Sequence, residues 1–495
     1  SVDGTKSFFM NSLVNYPIRH GSSLVCSHSL HCMWVSLLLG AFSILIAQSS
    51  LSAGDQPNFV LIFCDDLGYG DLGSYGHPSI RTPNLDKMAA DGMRLTDFYS
   101  AASVCTPSRA ALLTGRYPVR SGMCSDRRRV LFPDSSGGLP ESEWTIAEAL
   151  KSEGYATAAV GKWHLGHRHQ YLPTEHGFDS YYGIPYSNDM DRVSTAPRGA
   201  AKSLEPHINW WNVPLLRNQK VVEQPVDQTT ITRRYTRQAT KFIESNRETP
   251  FFLYLAHSMP HVPLFRSKQF EGHSLRGLYG DVIEEIDWSV GQILSALTEN
   301  GLDKNTLVFF TSDNGPWLTQ GPAGGTAGLL REGKGSTWEG GMREPAIAWW
   351  PGQIQPGSVS SELAATIDLF PTFLSLAGGN LLAGLEIDGH DMSPVLFEHS
   401  QSVRHHFAYY RGTQIFALRM GAFKAHFMTK SAYGRDPIET HDRPLIYNLQ
   451  ADPSERFDLG ESRPELVTAF ENLKVHYLNE VEVAPSRLES RMPKQ

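Results

Sequence analysis

Five cysteines in 495 residues are too few for a disulfide-stabilised scaffold. Basic residues are also fewer than acidic ones. Lys and Arg together number 44 against 52 Asp and Glu, which gives a formal charge of −8. A general nucleic-acid binder is not expected, because no surplus of cations exists to displace counterions from phosphates. An anionic substrate would therefore need a local basic pocket. Hydrophobic residues still make up 41% of the chain, so a sizeable core is available and extensive disorder is excluded.

The uncharged hydrophobic run at residues 33–47, MWVSLLLGAFSILIA, is short for a bilayer span and is followed by small residues. We interpret residues 1–53 as an upstream extension plus a signal peptide cleaved after Ala53, which predicts an exported protein. No Lys or Arg lies between Met33 and Gly54, so an uncleaved membrane anchor is the alternative. Asn-x-Ser/Thr acceptors are absent from the sequence, which favours a periplasmic or secreted bacterial enzyme over a lysosomal animal one.

Apolar runs with the character of buried strands alternate with helical patterns as far as residue 400. The predicted strands include residues 58–64, 155–160, 250–257 and 306–311, and helices are predicted after the capping box at 145–148 and at 279–297. This alternation predicts an α/β fold in which a large mixed, mostly parallel sheet is sandwiched by helices.

The pattern changes after about residue 400. Short strands separated by turns are predicted at 416–420, 423–427 and 445–449, and a helix is predicted near 464–478. We expect a main domain at 54–400 and a smaller C-terminal subdomain at 401–495, built from an antiparallel sheet plus a helix.

Four predicted strands run directly into polar residues. These are Asp65-Asp66, Asp313-Asn314, Lys162 with His164, and His257 with His261. Because active sites of open α/β sheets lie beyond the carboxyl ends of the strands, we expect these side chains at one edge. Three carboxylates and an amide oxygen favour a hard divalent cation such as Ca²⁺ or Mg²⁺. Adjacent aspartates can share an ion only on a turn, which the glycines at 68, 70 and 73 would allow. Taken alone, the pair would fit a simple loop cap better, but Asp313-Asn314 at an equivalent strand end favours a metal site.

Cys105 precedes Pro107, which suits a first helical turn, and Gly115 suits the end of that helix. Cys105 would then lie at a helix N-terminus, where free N–H groups and the helix dipole favour anions. A buried structural cysteine and an ordinary thiolate nucleophile are the alternatives at this point.

The segment from Cys105 to Arg109, followed by AALLTG, resembles the signature of the type I sulfatases, a formylglycine-dependent family in the alkaline-phosphatase-like superfamily. Further motifs similar to those of the family occur in the same order along the chain, at residues 65–71 before this segment and at 161–166, 312–315 and 333–341 after it. The resemblance covers residues 56–480. Among subgroups the chain is most similar to arylsulfatase A and next to the N-acetylgalactosamine-6-sulfatases. The joint set is specific, whereas each motif alone would be weak.

The resemblance implies a sulfuric ester hydrolase that acts on a sulfated sugar or an aryl sulfate, with residues 54–400 as its catalytic domain. Cys105, converted by a formylglycine-generating enzyme, would supply an aldehyde hydrate that attacks sulfur, and Arg109 would hold this hydrate. After sulfation, the second hydroxyl of such a hydrate can expel sulfate by C–O cleavage. The implied ligands of Ca²⁺, with Mg²⁺ as the alternative, are Asp65, Asp66, Asp313, Asn314 and the converted Cys105.

The remaining implied roles concern the substrate. Lys162 and Lys334 would grip the sulfate group, His261 would protonate the leaving oxygen, and His164 would assist release. His257 is a second candidate for the acid, or a hydrogen-bonded core histidine. His426 is expected either to line the pocket or to face solvent on a strand, and Ser187 either contacts sulfate or forms a turn. The basic run Arg127–Arg129 either attracts a polyanionic substrate or is a solvated loop.

Two other functions remain open from the sequence. A phosphonate monoester or phosphodiester hydrolase of the same superfamily could use the same converted cysteine. A non-catalytic binder of sulfated glycans would keep Cys105 unconverted, although the complete set of lysines, histidines and metal ligands argues against it.

Overall fold

The computed structural model describes residues 56–197 and 205–493, and the predicted export segment at 1–53 lies outside these residues. Among the described helices, none is both long and apolar enough to cross a membrane.

A large sheet of eleven strands forms the centre of the described structure. Its strands are β1 (Asn58–Cys64), β2 (Met93–Tyr99), β3 (Ala156–Gly161), β4 (Ser180–Gly183), β5 (Leu215–Arg217), β6 (Lys220–Glu223), β7 (Phe251–Ala256), β8 (Thr306–Ser312), β9 (Arg343–Trp349), β10 (Ser358–Ser360) and β11 (Ala364–Ala365). The spatial order is β10-β2-β9-β8-β1-β7-β3-β4-β5-β6, with β11 paired to β2.

Strand directions make this sheet mixed but mostly parallel. β1 is parallel to both β7 and β8, β3 is parallel to β7 and β4, and β10 and β11 are parallel to β2. Antiparallel pairs occur only towards the two sides of the described sheet, at β2–β9, β8–β9, β4–β5 and β5–β6. The predicted mixed, mostly parallel sheet is confirmed.

Helices cover both faces of the sheet. They are α1 (Pro83–Asp91), α2 (Cys105–Thr114), α3 (Pro118–Ser121), α4 (Ile146–Ser152), α5 (Ile231–Ser245), α6 (Leu278–Glu299), α7 (Glu339–Met342), α8 (Leu369–Leu376), α9 (Ser393–Phe397) and α10 (Pro464–Glu480). Val60 and Ile62 share one core with α1, α5 and α6, whereas Phe59 and Leu61 share the other with α2, α4 and α8. All seven residues of β1 are buried because both sides of the strand meet apolar helix faces.

A separate antiparallel sheet follows in the C-terminal part. It contains β12 (His406–Arg411), β13 (Gln414–Met420), β14 (Phe423–Thr429) and β15 (Glu439–Asn448), in that order, and Phe470 and Tyr477 of α10 join its core. The predicted antiparallel sheet with a helix is confirmed, although sequence reasoning missed β12 and expected β15 to be shorter.

Candidate active site

Four neighbouring parallel strands, in the order β8-β1-β7-β3, end at the same edge of the large sheet. The register pairs Cys64 with Ser312 and Ala256 with both Phe63 and Gly161, so the residues that follow these strands are brought together. They are Asp65, Asp66, Lys162, His164, His257, His261, Asp313 and Asn314.

A sharp turn at Asp65-Asp66 aims both carboxylates at one place. Asp66 has φ 66°, a left-handed conformation that is uncommon outside glycine. The N–H of Asp66 donates to Oδ1 of Asp313 at 3.1 Å, and the N–H of Leu67 donates to Oγ of Ser312 at 3.0 Å. The end of β8 therefore stabilises the turn that follows β1.

The neighbouring glycines do not make this turn, contrary to the expectation from the sequence. Gly68 and Gly70 allow a close approach instead, because a Cβ at Gly68 would lie 2.3 Å from the carbonyl oxygen of Thr326 and one at Gly70 would lie 2.7 Å from the N of Gly328. Segment 326–328 thus packs directly against the loop after β1.

Cys105 is the first residue of α2, as expected, and is 2% exposed. Its Sγ lies 3.3 Å from Oδ1 of Asp65 and 3.5 Å from Nζ of Lys334. Burial raises the pKa of this thiol, and the carboxylates of Asp313 and Asp65 raise it further, while Lys162 and Lys334 oppose the change. The unmodified thiol therefore resists ionisation.

A group of potential metal ligands surrounds this cysteine. Ligand atoms of Asp65, Asp66, Cys105 and His261 all lie within 4.8 Å of one another. The amide of Asn314 adjoins the group, since its Nδ2 donates to Oδ1 of Asp66 at 2.8 Å, and its own Oδ1 is buried without a partner among the described residues. An orphaned amide oxygen beside carboxylates fits a hard cation, because each is a ligand that Ca²⁺ and Mg²⁺ prefer.

Two lysines bond to the adjacent aspartates. Nζ of Lys162 donates to Oδ2 of Asp65 at 2.5 Å and to Oγ of Ser187 at 3.1 Å, and Nζ of Lys334 donates to Oδ2 of Asp66 at 2.8 Å. Both ammonium groups are almost completely buried. Both positive charges act on Cys105, since each lysine lowers the pKa of its thiol.

The charge of Asp313 is balanced by the guanidinium of Arg109. Its Nε and Nη2 donate to Oδ2 of Asp313 at 3.0 and 2.8 Å, and its Nη1 donates to the carbonyl oxygen of Lys162 at 3.0 Å. Arg109 lies one turn after Cys105 in α2, so the helix that presents the cysteine also carries the charge that balances Asp313.

The two site histidines have defined hydrogen bonds on one ring nitrogen each. Nδ1 of His261 faces the oxygens of Val262 at 2.6 Å and Asn188 at 3.1 Å, so this nitrogen carries the proton. Nε2 of His261 is left beside Oδ2 of Asp66 at 3.6 Å. Nε2 of His164 donates to the carbonyl of Leu131 at 2.9 Å, which leaves its buried Nδ1 without a described partner.

These groups open into a cavity of about 950 Å³. Its lining combines groups at the sheet edge with a basic and aromatic wall, and includes Cys105, Arg127, Arg128, Arg129, His164, Ser187, Asp189, His261, Trp317, Lys334, Lys430 and Tyr433.

Two histidines weighed from the sequence do not line this cavity. His257 is buried, and its Nε2 contacts Oγ of Ser289 at 3.4 Å, which is the core role considered for it. His426 neither lines the cavity nor faces solvent, so both positions considered for it are wrong. Its Nε2 lies 2.7 Å from Oε1 of Glu455, and its ring packs on Trp338 with centroids 4.1 Å apart. The C-terminal sheet reaches the cavity through the loop after β14 instead.

Sequence reasoning missed several residues of the cavity wall. Lys430 and Tyr433 come from the loop after β14, Trp317 follows the Asp313-Asn314 motif, and Asp189 follows Ser187. Trp317 packs on both His261 and Tyr433, with centroids 5.3 and 5.2 Å apart. Their positions next to motifs were the only available signal, because loops give no periodic pattern to follow.

Taken together, the sheet and its site define an α/β protein with a buried cysteine, carboxylates and two buried lysines grouped at the ends of its parallel strands. The chain belongs to the sulfatase family, which it matches over residues 57–379, and it matches the C-terminal region of aryl-sulfatase over residues 402–493. It is therefore a sulfuric ester hydrolase.

Individual relatives agree with this assignment. The chain is 44% identical to arylsulfatase A of Bos taurus over 460 residues, which cover 87% of this chain and 89% of the relative. It is 43% identical to N-acetylgalactosamine-6-sulfatase of Mus musculus over 451 residues, with 86% and 85% of the two chains covered. A sulfatase of known structure from Pseudoalteromonas sp. superposes with a TM-score of 0.76 at 30% identity, covering 88% of this chain and 92% of that one.

Proposed function

We propose that this sulfatase acts through a formylglycine made from Cys105 and a divalent cation held beside it. The observation that carries the proposal is the approach of Sγ of Cys105 to Oδ1 of Asp65 at 3.3 Å, within the group of buried potential ligands. A residue converted at position 105 would lie at the centre of that group.

Conversion is favoured over thiolate chemistry by the surroundings of Cys105. Burial and two neighbouring carboxylates raise the pKa of the thiol, and a protonated thiol is a weak nucleophile. An aldehyde hydrate at this position supplies an oxygen nucleophile, and its second hydroxyl allows sulfate to leave by C–O cleavage without attack of water on sulfur.

The proposed ligands of the cation are Asp65, Asp66, Asp313 and Asn314, together with the converted residue 105. Ca²⁺ is the proposed ion and Mg²⁺ the alternative, since both prefer oxygen ligands. When bound, the cation draws charge from the sulfate oxygens. The unpaired Oδ1 of Asn314 supports this set, and so does the pKa of Asp66, which burial raises to about 7 against the opposing charge of Lys334.

Lys162 and Lys334 are proposed to bind the sulfate oxygens. Lys334 lines the cavity and bonds to Asp66, whereas Lys162 bonds to Asp65 and to Oγ of Ser187, a residue of the cavity wall. We propose that Ser187 contacts sulfate too, because its hydroxyl lies on the same cavity wall. Arg109 would hold the converted residue and balance Asp313.

Proton transfer is assigned to the two histidines. Nδ1 of His261 donates to carbonyl oxygens, which turns Nε2 towards the cavity as the proposed acid for the leaving oxygen. Burial and Lys334 lower the pKa of His261, and an incoming sulfate ester would oppose this effect with its negative charge. The free Nδ1 of His164 is proposed to accept a proton during sulfate release.

The proposed substrate is a sulfated carbohydrate or another sulfate monoester. Two relatives are named for aryl sulfates and for N-acetylgalactosamine 6-sulfate, which supports this class without selecting a sugar. Maturation would require a formylglycine-generating enzyme as a partner. The buried His426 is omitted from the proposed substrate contacts because Trp338 and Glu455 enclose it.

One experiment tests the proposal directly. A tryptic peptide that contains residue 105 should show a mass loss of about 18 Da, as expected for conversion of thiol to aldehyde. The purified enzyme should release nitrocatechol from its sulfate, whereas Cys105→Ser should abolish turnover and Cys124→Ser should not. An unmodified peptide from a fully active enzyme would rule out formylglycine, and faster hydrolysis of a nitrophenyl phosphodiester than of the sulfate would favour the phosphodiesterase alternative.

We also propose that residues 1–53 direct export to a periplasmic or extracellular compartment. The division at about residue 400 is proposed as the boundary between the catalytic domain and the C-terminal subdomain, in line with the two matched regions at 57–379 and 402–493. Expression with residues 1–53 deleted should retain the protein in the cytoplasm, and export of that variant would contradict the assignment.

A further inference from the structure

One wall of the cavity carries positive charge that the proposed reaction does not use. Arg128, Arg129 and Lys430 all lie on this wall. Arg128 is neutralised by Asp134, with Nη2 and Oδ1 2.5 Å apart. Among the described residues, neither Arg129 nor Lys430 forms an ion pair, and Nζ of Lys430 donates only to the backbone carbonyl of Asp436 at 2.7 Å. The wall therefore keeps two cations that no carboxylate bonds within those residues.

Arg129 is held in place yet keeps one free edge. Its Nη2 donates to the carbonyl of Ala432 at 2.8 Å, and its guanidinium lies 4.4 Å from the ring centroid of Tyr433. Its Nη1 is shielded from solvent and has no hydrogen-bond partner among the described residues. A donor that has lost water and has no acceptor is costly, so a small movement of the Arg129 side chain that brings Nη1 to an acceptor of a bound ligand would be favourable.

A second arginine behind this wall increases the positive potential. Arg411 donates to the carbonyls of Lys430, Ser431 and Ala432 at 3.3–3.4 Å. Burial and the charge of Arg129 lower the pKa of Arg411 to about 10. The two arginines thus hold the loop after β14 through backbone carbonyls. Asp436 and Glu332 offset part of the charge of Arg411, but neither arginine forms an ion pair among the described residues, so the wall can still attract an anion.

The free edge of Arg129 lies near the proposed sulfate site. A Cβ at Gly335 would be 2.3 Å from Nη1 of Arg129, so only glycine permits this approach directly after Lys334. Nζ of Lys334 lies 4.5 Å from the centroid of Trp317, and Trp317 in turn packs on Tyr433. The aromatic pair Trp317 and Tyr433 therefore lies between Lys334 and Arg129. In the described residues, no carboxylate of the cavity wall bonds to Arg129 or Lys430.

We propose that Arg129 and Lys430 form a second anion subsite, so that the preferred substrate carries another negative group besides the sulfate ester that is cleaved. The inference rests on the proposed function and specifies its substrate class as a polyanionic glycan. The second group is a sulfate or a carboxylate on the same or the next sugar, since a guanidinium and an ammonium recognise both.

The test measures how well sugars compete with nitrocatechol sulfate. The competitors are galactose 3-sulfate against galactose 3,6-disulfate, and N-acetylgalactosamine 6-sulfate against its 4,6-disulfate. A chondroitin 6-sulfate disaccharide adds the carboxylate case. Charge-assisted hydrogen bonds predict that the wild-type enzyme binds at least one doubly anionic ligand about 10- to 100-fold more tightly than its singly charged counterpart. Which pair shows the preference distinguishes sulfate from carboxylate.

Arg129→Gln should reduce this ratio to about 1–3, and Lys430→Gln should reduce it partly, because one cation of the pair remains. Arg443→Gln is the matched control, since Arg443 carries the same charge, lies outside the cavity wall and is 41% exposed, with its Nη2 2.7 Å from Oδ2 of Asp458. The ratio of affinities for the doubly and singly anionic competitors should stay at its wild-type value in this variant. That result would show that the loss of one positive charge does not by itself lower the ratio.

A ratio near 1 in the wild type would overturn the inference, as would an equal loss of affinity for both members of each pair in Arg129→Gln. The latter result would mean that Arg129 only supports the loop after β14. Failure of the wild-type enzyme to hydrolyse nitrocatechol sulfate would instead contradict the proposed function, so the two failures are distinguishable.

Discussion

At the scale of single residues, Asp65 and Asp66 show how neighbours give different properties to adjacent identical side chains. Burial acts to raise the pKa of both. Lys162 and His261 outweigh it for Asp65 and hold that pKa well below its usual range. For Asp66, Lys334 does not compensate for burial and the nearby Asp65, so the pKa rises to about 7. A divalent cation would stabilise the ionised form of both groups.

Asp313→Asn should remove bound cation and activity together, because it keeps the size of the side chain and deletes a carboxylate charge beside Asp65. The loss of kcat/KM should exceed the roughly 10- to 100-fold loss that is typical when a residue bonded only to a metal ligand is replaced. Metal content by mass spectrometry and turnover of nitrocatechol sulfate are the measurements. Asp303→Ala is the control. Undiminished turnover without metal would exclude Asp313 from the site.

His261→Gln should impair poor leaving groups more than good ones, since an acid matters most when the departing alkoxide is basic. We expect a loss of about 100- to 10,000-fold for an alkyl or sugar sulfate and a much smaller loss for nitrocatechol sulfate. His257→Gln, altered outside the cavity, should change both rates by the same factor. Equal losses in His261→Gln would argue that another group supplies the proton.

At the scale of elements, the ends of neighbouring strands are packed too closely for side chains. Gly161 ends β3 with φ 119°, and a Cβ there would lie 1.8 Å from the carbonyl oxygen of Ala256 in β7. A Cβ at Gly183 in β4 would lie 1.7 Å from the carbonyl oxygen of Gly161. Lys162 follows immediately, so its position depends on this contact between three backbones.

Gly161→Ala should destabilise the protein and displace Lys162. Gly154→Ala provides the comparison, because Gly154 also has a positive φ, 90°, but a Cβ added there would meet no atom within 4 Å. Left-handed backbone strain alone costs about 1–2 kcal/mol, and the steric conflict at Gly161 should add about 1–3 kcal/mol. Denaturant unfolding measures the difference, and equal destabilisation by both variants would contradict the steric argument.

At the scale of the whole molecule, a buried ionic cluster joins the C-terminal sheet to the segment that carries Lys334. Nζ of Lys424 in β14 lies 2.9 Å from Oε1 of Glu339 and 3.0 Å from Oε1 of Glu455, and it donates to the carbonyl of Thr337 at 2.8 Å. Tyr99 of β2 also donates to Glu339. The second sheet therefore helps to position a lysine of the site.

Lys424→Met should cost about 3 kcal/mol of stability, because it leaves buried Glu339 with only the longer contact to Arg343 at 3.5 Å and buried Glu455 with His426 at 2.7 Å. The same variant should lower kcat/KM by loosening the segment before Glu339. Lys87→Met is the control, since Lys87 is 73% exposed, pairs with Asp91 in one helix, and should cost only about 0.5 kcal/mol or less. Calorimetric unfolding and turnover check both effects, and near-neutral stability in Lys424→Met would contradict the role of the cluster.

The sequence by itself determined the main strands and the residues that follow them. Uninterrupted apolar runs such as residues 58–64 are strands buried on both faces, and parallel strands must end at a common edge. It also predicted both ends of α2, because Pro107 is favoured in a first helical turn and Gly115 directly after a last helical residue.

Only the tertiary structure decided the rest. The left-handed turn at Asp66 is imposed by contacts with β8, which lies far away in sequence. His426 is enclosed by Trp338 and Glu455, whereas Tyr433 lines the cavity. No periodic pattern in the sequence predicts which of these two residues reaches the cavity. The physical reason is that strand character follows from the nearest residues, whereas the cavity wall depends on packing between loops that meet only when both sheets are folded.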